Sequence, residues 1–158
     1  MVYFINLFLE NKFKKDLFKR NKILVIGASG YLGNRLFNES LDQFIVEGTS
    51  TDGKKFHKLN LLKPYEFDNS IIREGNFVFF TPAISSPDEC KNDSKDSLAW
   101  RTNIIGTKIF IEDCLKKKAK VIFFSSDTIY GETTEMVNEN SKENPFGNYS
   151  KMKRIIEK

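Results

Sequence analysis

The chain predicts an α/β protein built on a parallel sheet, and three observations carry that expectation. Runs that are apolar almost throughout, 22–26, 76–81 and 120–124, alternate with segments of helical pattern. A strand apolar at nearly every position is buried on both faces, as in a parallel sheet covered by helices. After the first run, in "KILVIGASGYLGNRLF", Gly27, Gly30 and Gly33 stand three apart at a junction between strand and helix.

The elements follow in order. Lys22–Ile26 is the first strand and Tyr31–Leu41 the first helix; Phe44–Thr49 is a second short strand. Pro64 suits the first turn of a helix running to about Arg73, because its missing N–H has no partner to lose there. Asn76–Thr81, "NFVFFT", is the third strand, followed by a Ser/Pro-rich loop to Pro87. Asp88–Lys118 reads as mostly helical. Leu98, Ile105 and Ile109 share one face, and Trp100, Ile104 and Ile111 lie off it. A helix apolar on more than one side is buried or packs on a partner, which permits a homodimer through 98–115. Lys120–Phe124 is the fourth strand, a polar loop spans Ser125–Asn148, and a last helix begins near Tyr149. Doubly wound dinucleotide folds usually have about six strands, so four suggest a sheet truncated before its last strands. The organisation is then an N-terminal extension, 1–21, and one domain, 22–158, with no substrate domain after it.

Composition narrows the function. The net charge of +4 comes from scattered lysines, without a basic stripe or aromatic platform, which favours an anionic small molecule over nucleic acid. Cys90 and Cys114 lack metal-ligand spacing and His57 has no nearby ligand partner, so no metal site is expected and His57 reads as a solvated loop residue. Free cysteines suit a reducing cytoplasm. The apolar run Val2–Leu9 is too short to span a bilayer and lacks signal-peptide flanks, so a packed N-terminal arm is favoured over a membrane-surface helix.

The glycine turn points backbone N–H groups and a helix N-terminus at one spot, which favours a pyrophosphate. A Cβ would obstruct the tight turn, the approach of phosphate and helix-on-strand packing. Glycines needed only for packing would look similar; the position between a buried strand and a helix shifts the balance to nucleotide binding. Near the end, "NPFGNYSKMKR" places Tyr149 and Lys153 four apart on one helix face. A phenol titrates near about 10, and an adjacent ammonium is expected to bring it down. Such a pair is common on helices, but Ser125, Ser126, Asp127 and Thr128 follow the fourth strand, where parallel sheets bind ligands. A hydroxyl there could hold the oxygen that Tyr149 protonates. Ser126 could equally cap a turn, and Asp127 reads as turn or catalytic residue alike.

With these motifs in this order the chain resembles an extended short-chain dehydrogenase/reductase, the family of NAD(P)-dependent nucleotide-sugar epimerases, dehydratases and reductases, from about Lys22 onward. "SSPDECKNDSKDSLAWRTN" leading to "SSDTIYG" is most similar to the dTDP-4-dehydrorhamnose reductase branch. The resemblance implies a Rossmann-type doubly wound sheet and a catalytic set of Ser126, Tyr149 and Lys153. It implies cofactor contacts from "GASGYLG" (Gly27, Ser29, Gly30, Tyr31, Leu32, Gly33), Ser50, Asn60, Leu61, Ala83, Asn103, Tyr149 and Lys153. Asn60 replaces the family's acid beside the adenine. NAD(P) chemistry would then act on a nucleotide-linked sugar. The uncharged tip Thr49–Thr51 followed by Lys54 and Lys55 favours NADP, although Asp52 is close and an acid there suits NAD. A non-catalytic dinucleotide-binding or regulatory subunit is the alternative.

Overall fold

The computed structural model describes residues 22–92, 94–133 and 136–158; the expected N-terminal extension lies outside them. Five parallel strands form one sheet: β1 Ile23–Ile26, β2 Val46–Ser50, β3 His57–Lys58, β4 Phe77–Phe80 and β5 Lys120–Phe123, in the order β3-β2-β1-β4-β5. β1 pairs with β4 in the register Ile23↔Phe77 to Ile26↔Phe80, and β4 with β5 from Phe77↔Lys120 to Phe80↔Phe123. The helices are α1 Tyr31–Ser40, α2 Pro87–Cys90, α3 Leu98–Trp100, α4 Thr107–Lys116 and α5 Gly147–Glu157.

Alternation along the strands divides the core. Leu24, Ile26, Val78 and Phe80 point to one face, where they meet Phe110 and Cys114 of α4 together with Leu59, Leu61 and Phe67. Ile23, Val25 and Phe77 point to the other, against Leu36 of α1. Phe80 packs centroid to centroid at 5.8 Å on Phe110 and 6.0 Å on Phe123, so aromatic bulk fills much of the layer under α4. Strand order reverses between β1 and β4. In open parallel sheets the crevice beyond the carboxyl ends at that switch is the ligand site.

Several expectations change. His57 lies on the two-residue edge strand β3 rather than in a loop, its side chain half-exposed with Nε2 3.8 Å from Glu47 Oε2. The helix expected from Pro64 is two short 3-10 turns, Pro64–Glu66 and Asn69–Ile71. Phe67 is extended between them and Asp68 caps the second by accepting from the Ser70 N–H. The long helix expected over 88–118 is divided: α2 ends at Cys90, and Ser97 starts α3 by accepting from the Trp100 N–H at 3.2 Å. Between α3 and α4 the turn widens to a π-helix over Arg101–Gly106, where the Thr107 N–H reaches the Thr102 carbonyl. Leu98, Ile105 and Ile109 do share a face, and it is solvent-facing, at 52%, 44% and 38% exposure.

Candidate active site

Three loops meet at the carboxyl edge of the sheet. The first is the glycine turn. Gly27 has φ +78°, a conformation that disfavours side chains, and a Cβ there would stand 3.0 Å from both Pro82 Cγ and Thr81 Oγ1. A Cβ on Gly33 would lie 2.8 Å from the Gly27 carbonyl carbon and closer still to its oxygen, so only glycine lets α1 start this near β1. Gly30 is the N-cap of α1, with no side chain capping the first turn and no acidic residue in it. The amides of Tyr31, Leu32 and Gly33 are therefore left to a ligand of negative charge. These features fit a dinucleotide's pyrophosphate. Tyr31 and Ser29 are exposed, whereas Leu32 packs inward against the α1 face of the core.

The second loop follows β4. Thr81 donates its hydroxyl to the Ile26 carbonyl at 2.7 Å, binding this loop to the glycine turn. Asn103 fixes its continuation: its Oδ1 accepts from the Ile84 N–H and its Nδ2 donates to the Ile84 carbonyl, both at 2.8 Å. Widening of the helix over Arg101–Gly106 presents Asn103 to the loop. The Asn103 amide, expected among the cofactor contacts, is held by Ile84 and fixes the wall of the site. Ala83, Asn103 and Lys153 line one small cleft with Pro82, Thr107, Phe123 and Met152.

The third loop follows β5. Ser126 Oγ accepts from the Thr128 N–H at 3.3 Å, starting the 3-10 turn Asp127–Tyr130, and its hydroxyl reaches Asp127 Oδ1 at 3.3 Å. Ser125 Oγ is buried and has no hydrogen-bond partner among the described residues. Above this loop lies α5. Lys153 is 6% exposed; its Nζ donates to the Phe124 carbonyl at 2.7 Å and sits 4.6 Å from the Phe123 ring centroid and 5.7 Å from that of Tyr149.

Electrostatics correct one expectation. Burial pushes the Tyr149 phenol up, with Cys90 adding to it, instead of Lys153 drawing it down. Burial also lowers the Lys153 ammonium to about 8, despite Glu157 acting the other way. The reason is placement: Lys153 sits among rings with its head on a carbonyl, and both groups lose water together.

The remaining predicted contacts lie along β2 and beyond it. Gly27 and Ala28 donate to Thr49, through Oγ1 at 3.2 Å and the carbonyl at 2.8 Å, so the β2 tip adjoins the glycine turn. Ser50 is buried and donates to Asp52 Oδ1 at 2.8 Å. Asn60 accepts the Leu62 N–H at 2.9 Å, a turn role, and Leu61 is buried in the core. Sequence reasoning missed one hydroxyl: buried Ser150 donates to Thr128 Oγ1 at 2.8 Å, and Thr128 Oγ1 is itself 2.9 Å from Ser126 Oγ. A small polar residue beside Tyr149 offered no periodic signal for that contact.

Among the described residues no helix is long and apolar enough to cross a membrane, and no cluster of His, Cys, Asp and Glu could hold a metal. The NAD dependent epimerase/dehydratase family matches residues 23–158. N-acetyl-alpha-D-glucosaminyl-diphospho-ditrans,octacis-undecaprenol 4-epimerase of Escherichia coli O157:H7 is 26% identical over 134 residues, covering 84% of this chain and 40% of that protein. D-erythronate dehydrogenase of Haemophilus influenzae is 27% identical over 153 residues, covering 86% and 48% respectively. A crystal structure of UDP-glucose 4-epimerase shares the fold with a TM-score of 0.72 and 24% identity, over 87% of this chain and 45% of that one. The chain thus spans less than half the length of these three proteins.

Proposed function

The chain belongs to the NAD dependent epimerase/dehydratase family, and from that premise we propose an NAD(P)-dependent oxidoreductase or epimerase acting on a nucleotide-linked sugar. The observation that carries the reading is convergence: the glycine turn after β1 and the Ser126 and Lys153 segments after β5 share one edge of the sheet. The named activities of the two curated relatives, a sugar epimerase and a dehydrogenase, support hydride chemistry, which the nicotinamide supplies when bound. The amides of residues 31–33 would hold the pyrophosphate. Lys153 would exchange its Phe124 carbonyl for a ribose hydroxyl. Tyr149 would give or take the proton at the sugar oxygen, and Ser126 would hydrogen-bond that oxygen. The ionised Asp52, kept low by the Ser50 hydroxyl and the Lys54 amide, supports NAD, since a 2′-phosphate would meet its charge; Lys54 and Lys55 argue for NADP. The exposed stripe Leu98, Ile105 and Ile109 supports a helix-packed homodimer, which sedimentation of the purified chain reads as one mass or two.

The test is titration of the purified chain with NAD and NADP, then turnover of UDP-glucose with the cofactor that binds. Tyr149→Phe is expected to keep cofactor affinity and lower turnover by about 100-fold or more. Absence of dinucleotide binding, or equal turnover in Tyr149→Phe, overturns the reading. Binding with no turnover in either form would favour the non-catalytic subunit.

A further inference from the structure

Ser150 follows Tyr149 directly, yet proton exchange at Tyr149 gives it no role. It is 3% exposed on the first turns of α5, and its hydroxyl donates to Thr128 Oγ1 at 2.8 Å. Thr128 Oγ1 in turn lies 2.9 Å from Ser126 Oγ, and the Thr128 N–H donates to the same oxygen at 3.3 Å. The three hydroxyls thus join the loop after β5 to the helix that carries Tyr149 and Lys153.

The direction of this chain follows from counting protons. A hydroxyl has one proton and two lone pairs. With Ser150 donating to Thr128, the Thr128 proton points away from Ser150, and Ser126 Oγ is its other neighbour at 2.9 Å; the Ser126 proton is directed to Asp127, so Ser126 accepts in that contact. Ser126 Oγ then accepts twice from Thr128, from its N–H and its O–H, and both lone pairs are filled. Only the Ser126 proton remains to be placed, and its present partner is the long contact to Asp127 Oδ1 at 3.3 Å, on an exposed residue.

We propose that Ser150, acting through Thr128, is a positioning residue that sets the polarity of Ser126, so that Ser126 meets the substrate oxygen only as a hydrogen-bond donor. A donor stabilises the negative charge that develops on that oxygen when hydride reaches its carbon; an acceptor would not. Without Ser150, the Thr128 hydroxyl can turn either way and Ser126 loses its fixed sense. Successive hydroxyls also polarise one another, strengthening the last donor in the row. The inference rests on the proposed role of Ser126 at the substrate oxygen, and its test separates the two.

With UDP-glucose and NAD, Ser150→Ala and Thr128→Val are each expected to lower kcat by about three- to tenfold, with KM for both ligands unchanged. Thr128→Ser, which keeps the hydroxyl, restores it, and Ser150→Ala adds nothing in a Ser126→Ala background. A loss confined to KM, or one that persists undiminished in that background, overturns the proposal as a mere packing effect. A Ser126→Ala chain that is disabled beside an unimpaired Ser150→Ala overturns it too, and leaves the catalytic reading standing. The readout independent of turnover is the amide spectrum of the isotope-labelled chain. Ser150→Ala should shift the Ser126 and Thr128 resonances and speed exchange of the Thr128 amide; Thr128→Ser should not. If UDP-glucose is not turned over, or Ser126→Ala is fully active, the catalytic reading is what fails. The spectrum then decides alone: a Thr128 amide that moves upholds the hydroxyl row, and one that does not move overturns it.

Discussion

Replacing Lys153 by methionine should stabilise the fold at neutral pH, although Lys153 stands in the candidate active site. The ammonium is 6% exposed and rests on one carbonyl and two aromatic rings. Burial brings its ionisation from 10.5 to about 8. At about 1.4 kcal/mol per pH unit, keeping it charged in the fold at pH 7 costs about 3 kcal/mol. Methionine removes that cost and forfeits the bond to Phe124, about 1 kcal/mol, for a net gain of about 2 kcal/mol. Between pH 8 and 10.5 the unfolded chain holds more protons at this site than the folded one, so the lysine's penalty shrinks as pH rises. The advantage of Lys153→Met should therefore fall to about zero near pH 10. Cys114, pushed up to about 12 by burial, and the raised Cys90 and Tyr149 act oppositely above pH 9, where their unfolded forms ionise first. They act in both proteins and cancel in the difference. Urea denaturation of the two proteins from pH 7 to 10 measures it. A difference that does not vary with pH, or a methionine variant less stable at pH 7, would refute the account of a desolvated lysine.

Two further outcomes follow from the walls of the site. Asn103→Ala leaves the Ile84 N–H without its acceptor in a half-buried loop, and should lower stability by about 1–3 kcal/mol in urea denaturation and loosen cofactor binding in the same titration. Gly33→Ala forces α1 away from the Gly27 carbonyl, so stability should drop by about 1–3 kcal/mol even without ligand. If α1 could yield without loss, the denaturation midpoint would be unchanged.

Local pattern carried much of the architecture. β1 and β4 were legible because double burial leaves an unbroken apolar run, β5 because its run is apolar although Lys120 is exposed and Val121–Phe123 are only half-buried, and α1 because its glycines and periodic residues mark both start and face. The two-residue β3 has too few positions to alternate, and its strand character comes only from pairing with Thr49 and Ser50. The division of the segment 88–118 was hidden for another reason. Asn92, Ser94 and Ser97 are turn and cap formers that the long apolar pattern of 98–115 outweighed, while the end of α2 and the π-helical turn meet distant partners: Asn148 of α5 donates to the Cys90 carbonyl, and Asn103 bonds Ile84.

The site divides in the same manner. By itself the sequence determined the buried apolar strands β1 and β4, the glycine turn and the presence of Tyr149 and Lys153 on one helix face, because each depends on spacing within one short segment; packing set the reversal of strand order between β1 and β4. Tertiary structure decided that Lys153 faces a carbonyl and rings, that Tyr149 is raised, that Asn103 serves the loop, and that Ser150 reaches Ser126 through Thr128. Those outcomes depend on how much water each group loses and which distant partner it gains, quantities set only when separate segments pack together.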